Sequence, residues 1–255
     1  MFDTRDSPSV VAGSVRERIL RFASNARRPL HLGSSLSAVE ILVAVLVVLR
    51  PQKRRDVFIL SKGHGALGLY AALAEAGVFT DHDLETFGLS GTALPVHPQR
   101  GGDWWNRFAT GSLGHGVGLG LGVVMARTYG AEVGRCLVVV GDGECQEGSV
   151  WEAAAAAVEL DARGLCVVVD SNEYGQTGRI AGPSAADGLH RQFAALGWRT
   201  RVMDGHDAEQ LVAELQTFGS GSTPRALIAR TVKGRGSSAV IDGLPGSHFA
   251  PLSQR

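Results

Sequence analysis

Residues 136–175 run CLVVVGDGECQEGSVWEAAAAAVELDARGLCVVVDSNEYG. Two short valine-rich runs, 136–140 and 164–170, bracket a stretch of helical character at 149–160. Apolar runs of four to seven residues, rich in β-branched side chains and bounded by glycine and aspartate, read as strands buried on both faces. Strand, helix and strand in succession place two parallel strands side by side. The alternation continues with a helix at 185–196, a strand at 198–203, a helix at 208–218 and a strand at 225–230. This pattern predicts an α/β fold: a parallel sheet with helices on both faces.

Such sheets bind ligands outside the carboxyl ends of their strands, so the residues that follow each strand carry the chemistry. Asp142 follows the first run between two glycines, and Asn172 follows the second. A carboxylate, an amide oxygen and spare backbone carbonyls are hard donors. They suit Mg²⁺, which takes few protein ligands and completes its shell with water and phosphate. The glycines let a diphosphate approach the backbone, and the next helix offers free N–H groups to the anion. Taken singly, Asp142 reads as a helix cap and Asn172 as a turn residue. The pair, set 30 residues apart across an intact strand–helix–strand unit, favours a Mg²⁺–diphosphate site.

Before this unit the chain is mainly helical. Helices are predicted at 14–26 and at 35–49, the second opening at a serine cap on Ser35 and apolar almost all round. A strand at 56–60 leads into Ser61-Lys-Gly-His64 and a helix running to about 76. A short capped helix covers 80–87, a long loop 90–110, and a glycine-rich helix 111–129. The chain of 255 residues fits one large domain, 1–255. Its 25 basic and 25 acidic residues leave no electrostatic footprint for nucleic acid or an anionic membrane. With 44% apolar and 20% charged residues it is an ordinary globular chain. Three cysteines without a C-x-x-C pair fit a reducing cytoplasm. No secretory signal is visible, and the longest apolar run, ending at Leu49, is too short to cross a bilayer.

The Asp142/Asn172 pattern resembles the thiamine diphosphate motif of the transketolase superfamily. HLGSSLSAVEIL from His31, LSKGHGALGLYAAL from Leu60, TGSLGHGVGLGLGVVMA from Thr110, MDGHD from Met203, TVKGRG from Thr231 and the closing SHFAPL are similar to transketolase segments in the same order. The resemblance implies a thiamine diphosphate-binding fold, specifically the diphosphate-binding half of a transketolase. The activating glutamate of that family belongs to a separate pyrimidine-binding half. Because the chain ends at Arg255, the resemblance implies the N-terminal subunit of a split enzyme, active only with a C-terminal partner in an α2β2 assembly.

By the same resemblance, Asp142, Asn172 and the carbonyl of Tyr174 hold Mg²⁺, or Ca²⁺ or Mn²⁺ in its place. Thiamine diphosphate is contacted by His64, Gly111, Ser112, Leu113, Gly143, Asn172 and His248. His31 and His248 are assigned to proton transfer and His97 to the donor's C1 hydroxyl, tasks suited to a side chain that titrates near neutrality. Glu147 and Glu152 match glutamates at the dimer contact that link cofactor sites, which implies that both are buried. The reaction implied is transfer of a two-carbon ketol unit from a ketose or its phosphate to an aldose. His82, His190 and His206 are read as structural, with His206 shaping its turn; His115 is ambiguous. The stretch 104–109 and Val96 depart from the family pattern within the substrate loop, which leaves room for an unusual sugar in specialised metabolism.

Among the rivals, the α subunit of a thiamine-dependent 2-oxoacid dehydrogenase lacks the histidine set at 31, 64, 97 and 248. A deoxyxylulose-phosphate synthase is normally one longer chain. A dinucleotide-binding reading rests on Gly63-His-Gly-Ala-Leu-Gly68, but no acidic residue at the end of a second strand follows at the required distance. A non-catalytic cofactor-binding shell is disfavoured by the intact Asp142/Asn172 pair.

Overall fold

The computed structural model describes residues 6–26, 28–49, 56–101, 105, 107–130 and 134–237. Strands β1 (Val57–Leu60), β2 (Cys136–Gly141), β3 (Leu165–Ser171), β4 (Arg199–Asp204) and β5 (Arg225–Arg230) form one parallel sheet in the order β1-β2-β3-β5-β4. The helices are α1 (Pro8–Asn25), α2 (Leu32–Ser37), α3 (Val39–Val48), α4 (Ala66–Glu75), α5 (Asp81–Glu85), α6 (Gly116–Thr128), α7 (Gly148–Glu159), α8 (Ala186–Ala195) and α9 (Ala208–Gln216).

Side chains alternate across a strand, so each strand feeds two cores. Leu137, Val139, Cys166 and Val168 pack with α1, α3, α4 and α9 on one face. Val138, Val140, Val167 and Val169 pack with α6, α7 and α8 on the other. Both faces of the sheet are covered, as the continuous apolar runs predict. Cys136, Cys145 and Cys166 are free and buried. No helix among the described residues is long and apolar enough to cross a membrane. The apolar run ending at Leu49 forms α3, whose residues 39–46 are all buried.

Three predicted helices have different limits. The first begins at Pro8 rather than at residue 14, because Ser7 caps it and proline suits the first helical position. The stretch 35–49 is two helices meeting at Ala38; Ser35 lies inside α2, its hydroxyl bonded to the His31 carbonyl at 3.0 Å, and caps nothing. The glycine-rich helix starts at Gly116, not Gly111, since Gly111 and Gly114 adopt positive φ of 126° and 87°. Residues 111–115 are therefore a loop.

Glu40 on α3 is the centre of one buried polar contact. It pairs with Arg16 of α1 and accepts from His206 Nδ1 at 3.0 Å. His206 Nε2 accepts the amide of Val232 at 2.8 Å, which fixes the ring's tautomer. Burial alone raises the Glu40 carboxyl, but His206 and Arg16 more than offset it and hold it below its ordinary value. His206 thus ties its turn to α3 and to the segment after β5, in keeping with the structural role read from the sequence.

Candidate active site

The carboxyl ends of β1, β2 and β3 open into a cleft of about 760 Å³. β1 delivers Lys62 and His64, β2 delivers Asp142 and Gly143, and β3 delivers Asn172 and Tyr174. The other lining residues come from loops: His31 before α2, His97 in the long loop, and Gly111 and Leu113 ahead of α6. The register pairs Gly141 with Asp170, which brings the two ends level.

Asp142 and Asn172 lie together as the strand–helix–strand reading requires. Asp142 accepts the amides of Gly143 at 2.8 Å and Glu173 at 2.6 Å. Asn172 Oδ1 accepts the amide of Tyr174 at 3.1 Å, and its Nδ2 donates to Ser37 at 3.3 Å. Glu173 sits at φ 62°, so the chain turns back across the Asp142 carboxylate. Burial, then the neighbouring Asp170 carboxylate, push Asp142 up to about 7. A buried carboxylate raised in this way is one that a cation in direct contact would stabilise. No group of three His, Cys, Asp or Glu side chains that could hold a metal occurs among the described residues. The donor set is instead one carboxylate with amide and carbonyl oxygens, which fits a hard divalent cation.

Three histidines meet in the same cleft. The His31 ring lies 5.6 Å from that of His64 and 5.8 Å from that of His97, centroid to centroid. Burial lowers the His97 imidazole below its ordinary value, which favours the neutral ring. Close backbone contact sets their spacing: a Cβ on Gly111 would fall 2.8 Å from the His97 ring, and one on Gly63 would fall 2.8 Å from the Gly111 nitrogen. Only glycine lets these loops meet.

The remaining expectations fall differently. Ser112 is exposed beside its cleft-lining neighbours Gly111 and Leu113. His248 lies outside the described residues, as do Trp104 and Asn106. His115 faces a second groove, about 1140 Å³, formed along α6 with Arg100, Arg107, Phe108, Leu119 and Val123. Glu147 and Glu152 are exposed in the isolated chain, not buried, because the opening turns of α7 bury the side carrying Val150 and leave these two glutamates on the other. Within the chain the buried glutamate of that loop is Glu144, whose carboxyl burial pushes up.

Several cleft residues escaped the sequence reading: Ser34, Lys62, Glu144, Gln146 and the turn 175–180. Beneath them lies Asp170, fully buried and paired with the equally buried Lys62. Asp170 also accepts Ser37 Oγ at 2.7 Å and the Thr231 hydroxyl. Burial opposes its charge, yet Lys62 and these donors hold its carboxyl below the ordinary value. A lysine and an aspartate at the ends of otherwise apolar strands were the signal available.

The model of the transketolase thiamine diphosphate binding domain matches residues 31–255. The chain belongs to the transketolase family. It is 33% identical to an apulose-4-phosphate transketolase subunit of Actinobacillus succinogenes, over 93% of this chain and 88% of that one. It is 32% identical to the 6-deoxy-6-sulfo-D-fructose transketolase subunit SqwG of a Clostridium species, over 88% and 84%. The transketolase of Leishmania mexicana superposes with a TM-score of 0.79 at 26% identity, covering 97% of this chain but only 40% of that one. The chain thus spans most of the length of the two named subunits and well under half of that solved transketolase. As a member of this family it is a transferase component of transketolase type, with a thiamine diphosphate binding domain.

Proposed function

We propose that this chain is the diphosphate-binding subunit of a two-component, thiamine diphosphate- and Mg²⁺-dependent transketolase. It moves a two-carbon ketol unit from a ketose or ketose phosphate to an aldose. A separate pyrimidine-binding subunit, expected as α2β2, completes the site. The observation that carries this reading is the meeting of His31, His64 and His97 with Asp142 and Asn172 in one cleft at the ends of β1–β3.

In this reading Asp142, Asn172 and the Tyr174 carbonyl hold Mg²⁺. Gly143, His64 and the 111–113 loop, with Ser112 among them, receive the diphosphate. When bound, thiamine diphosphate supplies the carbanion and the electron sink needed to break and make the C–C bond. The chain's own part is proton movement and orientation. His31, together with His248, takes and returns the proton of the sugar's C3 hydroxyl. His97, kept neutral by burial, holds the C1 hydroxyl through a hydrogen bond. Glu147 and Glu152, exposed here, face the partner chains. Both subunit relatives are named for sugars with a terminal anionic group, a phosphate or a sulfonate, so screening begins with such ketoses.

Native mass spectrometry of the protein isolated from its own cells with Mg²⁺ tests the reading. A complex with a second, transketolase-like chain and the mass of thiamine diphosphate is expected. A homo-oligomer without cofactor would overturn it, as would turnover by the purified chain alone.

A further inference from the structure

Three segments of the chain converge on one carboxylate in the wall of the cleft. Glu144 is 2% exposed and lies in a single 3₁₀ turn, 144–146, after β2. Its Oε1 accepts the Ser61 hydroxyl and the amide of Gly114, the latter at 2.9 Å. Its Oε2 accepts the amide of Gly141 at 3.2 Å. The Ser61 oxygen in turn accepts the amide of Gly116 at 3.1 Å. The end of β1, the end of β2 and the entry to α6 are thereby joined through two side chains.

The fit is close. A Cβ on Gly116 would fall 2.2 Å from Ser61 Oγ, and one on Gly114 would fall 2.5 Å from Ser149 Oγ. A carboxylate suits this position because it accepts several donors and offers none of its own. An amide there would present its NH₂ to a backbone N–H.

We propose that Glu144, acting through Ser61 and the amides of Gly114 and Gly141, is a positioning residue that fixes the spacing between the 111–113 loop and the 141–143 loop. This proposal rests on the reading of the cleft as a diphosphate site, since Gly111, Leu113 and Gly143 all line it. Glu144 itself need not touch the ligand. It sets the distance across which two sets of backbone donors act on one anion.

The test uses the whole chain, with Mg²⁺ and inorganic pyrophosphate as the probe, in three variants: Ser61→Ala, Glu144→Gln, and Leu211→Ala as a core change on α9 remote from the cleft. Calorimetry gives the pyrophosphate affinity, and amide exchange gives the opening of Gly114 and Gly116. Ser61→Ala is expected to speed exchange at both amides and weaken pyrophosphate by about tenfold, the effect of losing one hydrogen bond to a charged group. Glu144→Gln is expected to exceed it; should it fail to fold, Ser61→Ala decides. Leu211→Ala lowers the melting temperature but leaves both readouts in place. Unchanged exchange overturns the proposal, and so does faster exchange with full affinity, or an equal loss in Leu211→Ala. If the unaltered chain does not bind pyrophosphate, the cleft reading falls and takes the proposal with it. If it binds and the variants bind equally well, only the positioning role is lost.

Discussion

Two buried polar networks share this fold and differ in how their charges close. Arg16, Glu40 and His206 bind α1, α3 and the turn before α9. There a cation meets an anion, both imidazole nitrogens are used, and the carboxyl sits below its ordinary value. At the cleft and just beneath it, the buried carboxylates of Asp142, Glu144 and Asp170 all feel the charge of Lys62, whose ammonium contacts Asp170. Asp142 accepts backbone amides only and is pushed up to about 7, while Asp170 stays ionised. The first network holds elements together. The second concentrates negative charge at the ends of β2 and β3, a setting suited to a divalent cation and costly without one.

The sharpest way to break this contrast is to remove Lys62. Lys62→Met leaves Asp170 charged and fully buried, and urea unfolding is expected to register a loss of about 3–5 kcal/mol. Adding Asp170→Asn should recover most of it, since an apolar residue beside a neutral amide no longer strands a charge. A single substitution that costs nothing would mean the pair is not the internal support of the cleft.

Glu40→Gln probes the other network and should cost about 1.5–3 kcal/mol at pH 7, as for hydrogen bonds to a charged group. Its pH dependence has a definite sign. Folded Glu40 binds its proton less readily than the unfolded chain does. Its contribution is therefore complete above the ordinary value of 4.5 and is lost as pH falls through the lower folded value. The deficit of the variant relative to the parent should shrink in acid, while pyrophosphate binding at pH 7 stays intact. A deficit independent of pH, measured by urea unfolding across that range, would remove the charge from the explanation.

The sheet and the meeting of Asp142 with Asn172 in one cleft were legible because each rests on short-range pattern. Valine runs specify strands, and a glycine–aspartate turn at the end of a strand specifies a ligand edge. The histidine cluster was legible only through motif resemblance; nothing local in PVHP or RPLHLG brings those rings within 6 Å. The start of α6 was misplaced because glycine and leucine fit a helix and a left-handed turn equally well, and only the φ values at Gly111 and Gly114 separate them. The break at Ala38 lies where a serine-rich turn of helix runs straight into an almost wholly apolar one, and no periodicity marks the junction. Lys62, Glu144 and Asp170 escaped for a different reason. Charge suggests exposure in a sequence, and their burial follows from which loops the sheet order β1-β2-β3 brings together. Trp105 was read as part of a substrate-loop departure. It is buried edge-on against Tyr70 and Phe79, with centroids at 6.1 and 5.5 Å, so that part of the unusual stretch anchors the loop to the core.

The smallest expected loss of stability comes from the residue assigned the largest role in binding. Asp142 is pushed up to about 7 in the fold against 3.8 ordinarily, so its opposition to folding is complete above about 7 and fades as pH falls toward 3.8. Asp142→Asn at pH 8 removes this opposition and weakens, without removing, the acceptor that Gly143 and Glu173 share, so the variant should be at least as stable as the parent. The same substitution should abolish Mg²⁺-dependent pyrophosphate binding, because an amide oxygen brings no charge to the cation. Urea unfolding and calorimetry on one sample therefore separate the networks. Glu40→Gln loses stability and keeps binding, whereas Asp142→Asn keeps stability and loses binding. A stability loss at Asp142 as large as that at Glu40 would place both carboxylates in the same structural role.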